Sequence, residues 1–153
     1  MSDAQLRAMA SNDFVEAQRA YYANAPKAAA LLCGSTLEAM LVDTLRRPHI
    51  QNDPRFTRFL NEKKMTQINW NRVSLAVLLD LAGRLELVRP TYLKLALGTA
   101  DFRDTVHPLA EVRMQRAGLK EATVLVEIVA LLAAELLASH GNDQMGVDET
   151  VKS

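Results

Sequence analysis

Arg103, Asp104 and His107 are the residues of this chain best suited to chemistry. Arg103 and His107 are four apart, so on a helix they share one face. The pair offers a permanent cation and a group that titrates near neutrality. Metal-free cleavage of a phosphodiester needs both. An imidazole can move a proton to or from the attacking or leaving oxygen. A guanidinium can hold the phosphate and offset charge in the transition state. The same spacing also suits a helix-end ion network, with Arg103 on Asp104 or Asp101 and His107 on the last carbonyls. Upstream, Leu93, Ala96, Leu97 and Ala100 recur at three- and four-residue spacing, as on the inner face of an amphipathic helix. Arg103, Asp104 and His107 continue that series. Charge at core positions is costly unless it is paired or used. Pro108 disfavours helical geometry at His107, which predicts that the helix ends there.

Other chemistries find little in the sequence. His49, His107 and His140 are scattered, with no CxxC, HxH or HExxH spacing, so no metal site is expected. There is no glycine-rich phosphate loop and no GxSxG elbow, and no cofactor is expected. The lone cysteine, Cys33, lies in an apolar helical stretch and reads as a small buried hydrophobe in a reducing compartment. Eighteen basic residues balance eighteen acidic ones, so any nucleic-acid contact would have to be local. Arg113 and Arg116 follow the Arg/His segment and could track a phosphate backbone or form a solvated basic loop. Glu38 is a polar residue inside an apolar helix, either exposed or a partner for the Arg/His cleft. Trp70, between two asparagines, reads as a loop anchor, with base stacking as the alternative.

The elements that must position these residues are helices. The 153-residue chain is 49% hydrophobic but only 5% aromatic, and Ala and Leu dominate. One domain over residues 1–140 is expected, an up-and-down bundle of four or five main helices, with 141–153 as a disordered tail. A first helix spans 3–22. A second opens at Pro26 and runs to about Arg47, with Ala30, Cys33, Leu37, Met40, Leu41 and Thr44 inward. Pro54 to Lys64 forms a short helix, and Met65 to Arg72 a loop. Ser74 is an N-cap for a third main helix lined by Leu75, Leu78, Leu79, Ala82 and Leu85. Pro90 opens the helix that carries the Arg/His segment. The last, from about Leu119 to Ser139, is apolar nearly all round, which makes it central or shared with a second subunit; Gly141 ends it. Val124 to Ala138 is interrupted by Glu127 and Glu135 and is too short to span a bilayer. With no basic-then-apolar leader pattern, the reading is a cytoplasmic protein without membrane contact.

Segment order adds a resemblance. Ala29 to Asp43, with a small residue followed by Leu37-Glu38, resembles the N-terminal core helix of many HEPN-like proteins. Val73 to Ala82 is similar to the next helix of those families, and Phe102 to Pro108 to their Arg-(Asn/Asp)-x-x-His-Pro signature. The apolar last helix matches too. The resemblance covers roughly residues 15 to 139. It implies a HEPN-like bundle, usually a homodimer, whose Arg and His meet in a cleft shared by two subunits. Many such proteins are metal-independent endoribonucleases of toxin–antitoxin, CRISPR or antiviral systems, so RNA and a cognate antitoxin are the implied partners. Arg103, Asp104 and His107 then carry the family's catalytic motif. Three residues separate Arg103 from His107, against four to six in the usual catalytic form. The alternative rests on that tighter spacing: a non-catalytic dimeric helical module that binds a protein or RNA partner.

Overall fold

The computed structural model describes residues 3–104 and 119–145. Seven helices are described: α1 (Asp3–Tyr22), α2 (Pro26–Leu45), α3 (Pro48–Gln51), α4 (Pro54–Glu62), α5 (Leu75–Arg84), α6 (Pro90–Asp104) and α7 (Leu119–Met145). The described residues contain no strand. Five of the helices are long and two are short; α3 lies where no helix was expected.

Helix starts follow local chemistry. Proline stands at the first turn of α2, α3 and α4, where its missing N–H costs nothing. Ser74 caps α5 by accepting from the Val77 N–H at 3.4 Å, as the sequence predicts. Asp53 does the same for α4, accepting from the Arg55 N–H at 2.8 Å.

Three helix ends share one device without a glycine. Asn24, Lys64 and Glu86 have φ of 58°, 55° and 58°. In each case the next residue's N–H reaches back five residues: Ala25 to the Ala20 carbonyl, Met65 to Leu60, Leu87 to Ala82. These are Schellman closures. Met65 and Leu87 then pack on the core, as the apolar residue after such a turn should. That contact offsets the left-handed backbone cost at Lys64 and Glu86.

The centre of the bundle is α2, which touches α1, α3, α5, α6 and α7. Its buried residues include Ala29, Cys33, Gly34, Leu37, Leu41 and Leu45. They lie all round the helix rather than on one stripe. By length and composition α2 could cross a membrane, yet 67% of its most apolar window is buried inside the bundle. The all-round apolar pattern of α7 had made that helix a candidate for the centre. Instead α7 buries a single stripe, Ala122, Leu125, Ile128, Val129, Leu132 and Leu136. Val124 and Leu131 remain 46% and 43% exposed. α7 also continues through Gly141 to Met145, so the expected stop at Gly141 and a tail beginning there do not hold for residues 141–145. A single helical glycine costs about 1 kcal/mol, too little to end a helix by itself.

Polar ties fix the helices' relative placement. Asp43 on α2, 5% exposed, accepts from Arg7 Nε of α1 at 3.2 Å and from Arg47 Nη2 at 3.1 Å. The Ser35 hydroxyl donates to Asp13 at 2.5 Å across the same seam. Glu135 of α7 accepts the Arg89 N–H at 3.2 Å, just ahead of α6, and pairs with the Arg89 guanidinium. The charge that interrupts α7's apolar run thus anchors the start of α6. Between α5 and α6, a Cβ on Gly83 would lie 2.5 Å from Leu93 Cδ2, so the glycine permits close approach.

Candidate functional site

Arg103 and Asp104 form the last turn of α6, at the end of a helix anchored by buried Ala96 and half-buried Leu93. α6 packs on α2, α5 and α7. Leu97, expected on the inner face, is 39% exposed and lies off the buried stripe. His107, Arg113 and Arg116 lie outside the described residues.

Glu38 belongs to a different place. It is half-buried on α2 and lines an open cleft of about 1000 Å³. The floor is apolar, built from Leu6 of α1, Ala39 and Val42 of α2, Phe56 and Leu60 of α4, and Ile68. One wall is the face of α2 carrying Ser35, Glu38, Val42 and Arg46. The other is the segment Thr66 to Asn71. No described residue of α6 lines this cleft. Among the described residues, then, Glu38 and the α6 motif turn are not brought to one cavity.

The Thr66–Asn71 wall is organised by its own backbone. The Asn69 side-chain oxygen accepts from the Asn71 N–H at 3.2 Å, and the Asn69 carbonyl accepts from the N–H groups of Arg72 and Val73. These bonds form a compact turn. They set Trp70 half-buried against the core and at the cleft edge. The loop-anchor reading of Trp70 holds. The sequence reading passed over the neutral polar side chains around it, Thr57, Thr66, Gln67 and Asn71, and the cation Arg46. The amide-rich run Gln67-Ile68-Asn69-Trp70-Asn71 was the available signal.

Elsewhere the titrating groups serve structure. Cys33 is fully buried, and burial pushes its thiol up to about 12, so it remains a thiol at neutral pH. At Asp80, partial burial raises the pKa but is outweighed by hydrogen bonds from Arg84 and Lys63, and the carboxyl sits below its usual range. Lys63 and Arg84 also lie over the Phe59 ring, 5.6 and 5.4 Å from its centroid. Among the described residues no group of three His, Cys, Asp or Glu side chains could hold a metal ion.

No family model, no curated protein and no solved structure matches the chain.

Proposed function

We propose that the chain is a HEPN-like protein that cleaves RNA without a metal, as a homodimer of the toxin or defence type. The observation that supports this reading is the setting of Arg103 and Asp104. They end a helix packed on the central helix of an all-helical chain, with His107-Pro108 next in sequence. In this scheme Arg103 holds the scissile phosphate and Asp104 orients Arg103 or His107. The 2′-hydroxyl loses its proton and its oxygen bonds to phosphorus. The bond from phosphorus to O5′ breaks, and O5′ takes a proton. His107 moves one of these protons, and a cyclic phosphate remains. Arg113 and Arg116 contact flanking phosphates. The exposed Val124 and Leu131 on α7 favour a second copy covering that face. The proposed setting is the cytoplasm, with RNA and a cognate antitoxin as partners.

A mixed RNA pool in EDTA tests the reading. Wild type should cut it, while Arg103→Ala and His107→Ala should not, with helix content unchanged. Sedimentation at micromolar concentration should give twice the 16.9 kDa chain mass. Intact RNA, or alanine variants that cut as wild type does, would reject the cleavage reading. The second reading, a non-catalytic interaction module, is favoured by the cleft that Glu38 lines, because it is built from other elements than α6.

A further inference from the structure

The cleft between α2, α4 and the Thr66–Asn71 segment has a repeat that can be read as a recognition pattern. On α2, Glu38, Val42 and Arg46 follow one another at four-residue intervals, and all three line the cleft. Four residues of helix rise about 6 Å. In an extended chain, every second side chain points the same way, at a spacing of about 6.6 Å. The two spacings match over three positions. A carboxylate, an apolar side chain and a guanidinium on α2 therefore face positions i, i+2 and i+4 of an extended segment.

The rest of the lining fits the same occupant. The side chains of Thr57, Thr66, Gln67 and Asn71 border the cleft, and none is hydrogen-bonded within the protein among the described residues. Neutral amides and hydroxyls suit a peptide backbone, which offers both donors and acceptors. Phe56, Leu60 and Ile68 make an apolar floor for one buried side chain. With Arg46 and Glu38 the only charged residues at the cleft, the lining carries no net charge, which suits a mixed-charge segment better than a polyphosphate chain.

We infer that this cleft binds an extended peptide segment of a protein partner, with a basic residue toward Glu38, an apolar one over Val42 and an acidic one toward Arg46. Binding here is independent of RNA cleavage, because it uses no residue of α6.

Trp70 is the only tryptophan and stands at the cleft, so its fluorescence reports occupancy directly. The probes are blocked pentapeptides. Lys-Thr-Leu-Thr-Glu and its reverse, Glu-Thr-Leu-Thr-Lys, carry mixed charge. Glu-Thr-Leu-Thr-Glu and Lys-Thr-Leu-Thr-Lys are the like-charge controls. At least one mixed-charge peptide should saturate the Trp70 signal and bind about tenfold tighter than either control. Glu38→Lys should invert the preference toward the doubly acidic peptide. Glu38→Gln, a milder change, should erase the tenfold margin with unaltered circular dichroism. Three results would overturn the inference: no saturable change with any peptide up to about 5 mM, equal affinity for mixed and like charge, or saturation by hexauridylate but by none of the peptides.

Discussion

α2 and α7 are both apolar, yet the bundle uses them differently. α2 is enclosed by five other helices, and even its charged Asp43 is buried. α7 buries one stripe and leaves Val124, Glu127 and Leu131 exposed. Apolar content therefore did not decide which helix is central; the neighbours did. α2 follows α1 through a tight turn at Asn24 and is then crossed by α5, α6 and α7. On an enclosed helix a charge has to bring its partner inside, as Asp43 does with Arg7 and Arg47. On a one-sided helix a charge can face water, as Glu127 does.

The largest effect should come from packing. Leu41→Ala on α2 should cost about 3–4 kcal/mol, from lost transfer energy plus a cavity. Leu131→Ala on α7 should cost less than about 1 kcal/mol in the monomer. Urea unfolding of both variants, at a concentration where the chain is monomeric, measures the difference. Equal losses would erase the distinction between the two helices.

Asp43→Ala should come next, at about 3 kcal/mol, because it leaves the half-buried Arg47 guanidinium facing an apolar seam. Glu127→Ala on α7 should be neutral within about 0.5 kcal/mol. A double-mutant cycle of Asp43 with Arg47 would separate the pair's coupling from the cost of a stranded charge.

A smaller change of opposite sign is expected at a helix end. Glu86→Gly removes the left-handed strain at φ 58° and should stabilise by about 1 kcal/mol, despite losing the exposed contact with Arg55. A lower melting temperature would mean that the Arg55 link outweighs the backbone.

The smallest effect concerns pH. Asp80 has a folded pKa below its unfolded value, so its contribution is present above the unfolded value of 3.8. It is lost as pH falls through the lower, folded value. Asp80→Asn should flatten the acid limb of a stability–pH curve and leave stability near pH 7 only slightly reduced, since the pair is one-third exposed. An unchanged acid limb would show that the Lys63–Asp80–Arg84 cluster carries no linkage.

Much of this was legible in the sequence where local chemistry decides. Pro26, Ser74 and Pro90 placed three helix starts, and the apolar spacing of Leu75, Leu78, Leu79 and Ala82 placed the inner face of α5. Legibility ended where tertiary geometry decides. Lys64 and Glu86 give no sign of a left-handed turn, because the cost is offset by Met65 and Leu87 packing on a core that local spacing does not reveal. Asp43 looked like an ordinary polar position on α2, since its partner Arg7 is 36 residues away. The cleft was hidden for the same reason. Its walls come from α2 and from a loop some thirty residues later, and only the fold brings Glu38, Arg46 and Trp70 to one cavity.

The most direct test of the central claim uses one sequence in two chemistries. An end-labelled oligoribonucleotide and the matching oligodeoxyribonucleotide are each incubated with purified protein in excess EDTA. If His107 and Arg103 drive attack by the 2′-hydroxyl, only the ribonucleotide is cut. Its 5′ fragment ends in a 2′,3′-cyclic phosphate, and His107→Ala leaves it whole. Cleavage of the DNA strand, a product without the cyclic phosphate, or an intact ribonucleotide would contradict the account.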